Sequence, residues 1–205
     1  MGYLGNQITT VFPTSISVDS ATISGNASVG GTLGVTGVST LSDNIVFDAS
    51  GKGVHLGVTS ATASNLVHDY EEGSFTPTWV GAGGGTPTYN TQNGRYTKIG
   101  NRVHVTVYLY ITNLGSLSGN LHVAGFPFTA SNISAFYHAT SFWCNSTANG
   151  NNMDGDYFLS AFLDVNSTKV FIYSLDGDGG VANIDHNKLT NSTDIMLNFT
   201  YQTDA

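Results

Sequence analysis

The strongest constraint on this chain is the segment 102–112. Val103, Val105, Val107, Leu109 and Ile111 alternate there with Arg102, His104, Thr106, Tyr108, Tyr110 and Thr112. Side chains of an extended strand project to opposite faces in turn, so this pattern predicts a strand with one face in a core and the other outside it. A helix cannot bury such a set, because its faces repeat every three to four residues. Further strands are expected at 75–80, 94–99, 121–124, 135–144, 157–163, 169–175 and 194–202. Clusters of Gly, Asn, Asp, Ser and Pro separate them at 81–87, 113–119, 145–155 and 176–180, where turns need such residues. Seven or eight short antiparallel strands at this spacing predict an all-β head, a β-sandwich of jelly-roll-like form.

The first third is built differently. Only Tyr3, Phe12 and Phe47 supply aromatic rings before residue 68, so this stretch cannot make a core of large side chains. Instead Ile23, Val29, Val35, Leu41 and Phe47 recur every sixth position among Gly, Ser, Thr and Asn. That period fits short extended segments joined by turns, each with one apolar residue facing inward. Three arrangements suit it: a single-chain β-helix, a shaft in which several chains share one axis, or a flexible small-residue linker. The shaft lets each chain borrow apolar surface from its partners.

Charge restricts the partners. Six basic residues stand against fourteen acidic ones, a net of −8, and only 10% of residues are charged. Nucleic acids and anionic membranes are gripped by Lys and Arg, and no basic cluster exists here. Neither is an expected partner. The single cysteine, Cys144, follows Trp143 in an apolar strand and reads as structural. No secretion signal or membrane-spanning run is present near the N-terminus, so synthesis in the host cytoplasm is expected.

Several segments resemble one family. Asp69-Tyr70-Glu71-Glu72-Gly73-Ser74-Phe75-Thr76-Pro77-Thr78-Trp79 is similar to the DYEEGTWTPT element that opens the C-terminal head of many tailed-bacteriophage tail fibres. It is followed, as in that family, by Gly94-Arg95-Tyr96-Thr97-Lys98-Ile99-Gly100-Asn101-Arg102-Val103, a valine-rich alternating strand, and Ala124-Gly125-Phe126-Pro127-Phe128. The preceding ISGNASVGGTLGVTGVSTLSD resembles the family's shaft repeats, and Tyr3-Leu4-Gly5-Asn6-Gln7 with Phe12-Pro13 resembles its short N-terminal segment. The resemblance implies a virion appendage: a homotrimer with an anchor at 1–20, a β-rich shaft at 21–67 and a receptor-binding head at 68–205. Tyr3, Leu4, Asn6, Phe12 and Pro13 would then contact another virion protein. Ile23, Val29, Val35, Leu41 and Phe47 would line the trimer axis. The anchor is shorter than in longer fibres of the family, which fits a short fibre or spike.

No catalytic motif is present: there is no G-x-S-x-G, H-E-x-x-H or P-loop. The six histidines lack ligand spacing, so neither a metal site nor a cofactor is expected. Glycan cleavage needs paired carboxylates, and the close acidic pairs Asp154/Asp156 and Asp176/Asp178 sit in turn-like sequence that favours Asp on its own account. For receptor binding the candidates are Asn151, Asn152, Asp154 and Asp178 in polar loops, with Tyr108 and Tyr110 on the polar face of the long strand. The two tyrosines equally suit packing between subunits. Trp79 and Trp143 are read as core anchors. The expected function is non-enzymatic binding of a host-surface glycan by a virion appendage. A depolymerase with carboxylates shared between subunits and a decoration protein without a receptor are the alternatives.

Overall fold

In the computed structural model, residues 20, 22–145, 158–175 and 180–204 are described. The chain divides into two units, Met1–Val46 and Phe47–Ala205. Among the described residues of the first, none lies in a helix or strand, and Ile23, Val29, Val35 and Leu41 are all exposed. Phe47, at the start of the second unit, is exposed as well. The six-residue repeat thus has no buried face within a single chain. The anchor candidates Tyr3, Leu4, Asn6, Phe12 and Pro13 lie outside the described residues.

The second unit opens with a two-stranded ladder, β1 (Val54–His55) on β2 (Leu66–Val67). The head follows: β3 (Tyr70–Phe75), β4 (Thr78–Gly81), β5 (Thr88–Ile99), β6 (Arg102–Asn113), β7 (Leu121–Ala124), β8 (His138–Asn145), β9 (Phe158–Leu163), β10 (Lys169–Leu175), β11 (Val181–Asn183) and β12 (Asp194–Gln202). Nine of these form one antiparallel path, β3-β5-β6-β12-β8-β9-β10-β7-β4, and β11 joins β10. The turning point is β8. Its Ser141–Asn145 stretch pairs with β12, while His138, Ala139 and Thr140 pair with β9. By changing partner midway, β8 curls one sheet into two layers, as corner strands of sandwiches do.

The core lies between the layers. From β6 come Val103, Val105, Val107, Leu109 and Ile111, and from β12 Ile195, Leu197, Phe199 and Tyr201, all buried. The opposing layer supplies Trp79, Val123, Val170 and Ile172. Period two in both central strands therefore becomes one continuous apolar interior. Rings bridge it: Phe126 lies 5.4 Å from both Phe75 and Phe199, and the Tyr201 hydroxyl donates to the Phe128 carbonyl at 3.1 Å.

Three strand boundaries differ from the sequence expectation, each for a local reason. The segment 75–80 is two strands at opposite ends of the path, because Pro77 has no N–H to donate to a ladder. The segment 135–144 becomes strand only at His138. Ala135 has φ of 61° and Phe136 donates to the Ile133 carbonyl, which together make a turn. The strand expected at 94–99 begins at Thr88, six residues earlier, and its register shifts at Tyr89. β11 and the β1–β2 ladder had no apolar alternation to announce them.

Three of the segments carrying the family resemblance, all within 69–128, converge in space. Across β3 and β5, Gly73 faces Tyr96 and Phe75 faces Gly94. Asp69 forms an ion pair with Lys98, and the Tyr96 hydroxyl donates to Glu71. Tyr96 meets Phe128 edge-on at 5.3 Å, and the Lys98 ammonium sits 5.6 Å from the same ring. The opening motif, the RYTKI strand and the GFPF turn are one packing unit.

Candidate functional site

Alternation puts the even-numbered residues of β6 and β12 on the outer surface of the β3-β5-β6-β12-β8 layer. Register then lines them up across strands. Asn93, Tyr108, Met196 and Trp143 form one row over β5, β6, β12 and β8. One neighbouring row is Thr91, Tyr110, Asp194 and Asn145; the other is Arg95, Thr106, Asn198 and Ser141. With strands about 4.8 Å apart, four strands span roughly 14 Å.

Tyr108 and Tyr110 are thus on the surface expected of them, half-buried by their neighbours. The Tyr108 hydroxyl donates to Asp194 Oδ2 at 3.3 Å. Partial burial, then the Asp194 carboxylate, raises its pKa above the ordinary tyrosine value, which keeps the phenol a hydrogen-bond donor. The loop candidates Asn151, Asn152, Asp154 and Asp178 lie outside the described residues, and so do Asp156 and Asp176.

Trp143 is a correction. Trp79 is a core residue at 2% exposure, but Trp143 stands out from the surface at 49%, beside Met196 at 48%. The reason is parity: Phe142 and Cys144 pack against the core, so the residue between them must face outward. Cys144 is turned inward accordingly. Burial, with Asp194 adding negative charge, pushes its thiol up to about 12, a poor nucleophile and a structural residue.

The surface so assembled offers an indole, a thioether and two phenols among amide, carboxylate, guanidinium and hydroxyl groups. Apolar ring faces can lie against the C–H faces of a flat ligand, and the flanking groups can exchange hydrogen bonds with its rim. A cleft of about 390 Å³ lined by Glu72, Gly73, Arg95, Tyr96 and Thr97 opens on the β3–β5 side. Among the described residues no three His, Cys, Asp or Glu side chains gather as metal ligands would.

No protein-family model and no curated protein matches the chain. Its fold is similar to that in the crystal structure of the Dettilon tailspike protein (gp208), with a TM-score of 0.51 and 22% identity. The likeness covers 65% of this chain and 24% of that one, so the chain spans about a quarter of the length of the tailspike, and what the two share is the fold.

Proposed function

We propose that the chain is an appendage of a tailed-bacteriophage virion, a short fibre or spike, whose head binds a host-surface saccharide without cleaving it. The observation that carries this reading is the Asn93–Tyr108–Met196–Trp143 row with its polar flanks, a mixture of ring faces and rim hydrogen-bonding groups suited to a sugar. The fold shared with a tailspike and the resemblance of the opening motif support the virion setting. A net charge of −8 favours a neutral or weakly charged saccharide, since anionic ones would be repelled.

Non-cleavage is supported by spacing. Glycosidic hydrolysis uses two carboxyl groups roughly 5–10 Å apart. The carboxylates described on this face are Asp194 and Glu72, whose rows are three steps apart along the strands. At two residues per step that is about 20 Å. The remaining architecture follows the resemblance: anchor at 1–20, shaft at 21–67 and head at 68–205, with three chains sharing Ile23, Val29, Val35, Leu41 and Phe47 around an axis. Their exposure in a single chain supports this.

The test is saturable binding of the protein to purified surface polysaccharide of a susceptible host, with reducing ends assayed in the same mixture. Binding that blocks phage adsorption, with no new reducing ends, is expected. New reducing ends would make the protein a depolymerase. Neither binding nor blocking would leave a decoration protein.

A further inference from the structure

The other layer has its own outward face, with different chemistry. Across β8, β9, β10, β7 and β4, register aligns Ala139, Phe162, Phe171, His122 and Val80. Phe162 is the hub: Tyr173 lies parallel to it at 5.4 Å, Tyr137 meets it edge-on at 5.6 Å, and Phe171 is 6.2 Å away. Beside it is a depression of about 340 Å³ lined by Tyr137, Ala139, Ser160, Ala161 and Phe162. Tyr137 is 58% exposed. Among the described outward residues of these strands, Lys169 alone carries a full charge.

We infer that this face is the surface through which the head packs against the head of a second copy of the chain. Contiguous apolar patches of this kind mark interaction surfaces, and the centres of subunit interfaces are rich in aromatic residues and poor in charge. Charge selects the occupant. Each copy carries a net −8, so two copies approach with least repulsion where neither presents acidic groups. A saccharide would find few amide, carboxylate or guanidinium partners here, whereas the Trp143 face offers them. The rings are already packed on one another, so little side-chain freedom is lost on docking. The inference rests on the reading that copies of this chain assemble, and adds a head contact to the shaft contact.

Four full-length proteins test it by light scattering over a concentration series: the native chain, Val35→Asp, Tyr137→Arg with Phe162→Asp, and all three substitutions together. Val35→Asp should still associate through its heads, the head variant should need at least tenfold more protein to associate than the native chain, and the triple variant should be monomeric. If Val35→Asp is monomeric at every concentration while the native chain assembles, the head contact is overturned and the shaft reading stands. A monomeric native chain overturns both. Unchanged association in the head variant, or loss of polysaccharide binding by it without change of mass, also overturns the inference, the latter by making this face a ligand site. Should the double head substitution lower the melting temperature, Tyr137→Arg alone, at an exposed position, serves the same comparison.

Discussion

Phe75 lies over Gly94 across β3 and β5, with its ring 2.7 Å from where a Cβ on residue 94 would stand. Tyr96 covers Gly73 in the same ladder, 2.8 Å from the equivalent point. In each pair one residue gives up its side chain so that the partner's ring can lie flat on the sheet. Phe75 then reaches Phe126 and Tyr96 reaches Phe128, which ties the edge strand to the interior.

Gly94→Ala and Gly73→Ala should each therefore lower stability by about 1–3 kcal/mol, the usual cost of overpacking. Gly30→Ala, where nothing lies within 4 Å, should be neutral. Urea midpoints measured on the three variants decide this. Equal midpoints would mean that the rings move aside freely.

Parity in β8 and β12 gives a second expectation. Trp143→Ala should weaken saccharide binding at least tenfold while leaving the melting temperature nearly unchanged, because the indole stands in solvent. Leu197→Ala, one strand away and facing the core, should do the reverse, costing about 2–5 kcal/mol of stability with binding per folded molecule intact. Thermal melts paired with binding isotherms separate the two.

Mild acid should destabilise the head through two histidines. His138 packs 4.9 Å from Phe136 and 6.2 Å from Tyr201, and its Nε2 has no partner. Burial lowers its pKa, and burial followed by the Lys169 charge lowers that of His122, whose Nε2 is also unpartnered. Between the unfolded value of about 6.5 and those lower folded values, the unfolded chain binds more protons. Stability is thus lost as pH falls from about 6.5 toward the folded pKa values, and recovers on raising it. Stability curves at stepped pH should show this slope, and His138→Phe should flatten it. A pH-independent midpoint between 5 and 7 would contradict both assignments.

Cys144 should resist alkylation. With its thiol pushed up to about 12, only a trace of thiolate exists at pH 8. Iodoacetamide should label the native protein at least a hundredfold more slowly than the urea-unfolded chain, as followed by mass spectrometry. Comparable rates would place the thiol at the surface.

The sequence made the central strands legible because β6 and β12 carry their own parity, apolar and polar by turns. It was silent on the first half of β5, where Thr88, Asn90, Thr91, Gln92 and Asn93 are polar on both faces; Gln92 instead bonds the Pro77 carbonyl at 2.9 Å. The Trp143 face was half visible. Tyr108 and Tyr110 follow from alternation, whereas residue type alone misplaces Trp143 in the core and parity counted from Phe142 turns it outward. Phe162, Phe171 and Tyr173 could have been found the same way, since Ala161, Val170 and Ile172 fill the intervening core positions. What no single sequence reveals is that β8 serves two neighbours, since that depends on strands distant in the chain.

The place of β12 has a consequence for biosynthesis. Among the described residues it is the last strand in chain order, yet it lies between β6 and β8 near the middle of the path. Until β12 has been made, β6 lacks a neighbour on one side and the interior between the layers stays open, so closure of the sheet waits on a strand distant in the chain from both of its neighbours' turns. A chain broken before Asp194 would leave the core face of β6 uncovered and be fit for degradation rather than for assembly. The ordering of strands thereby makes a closed interior the mark of a chain that carries β12.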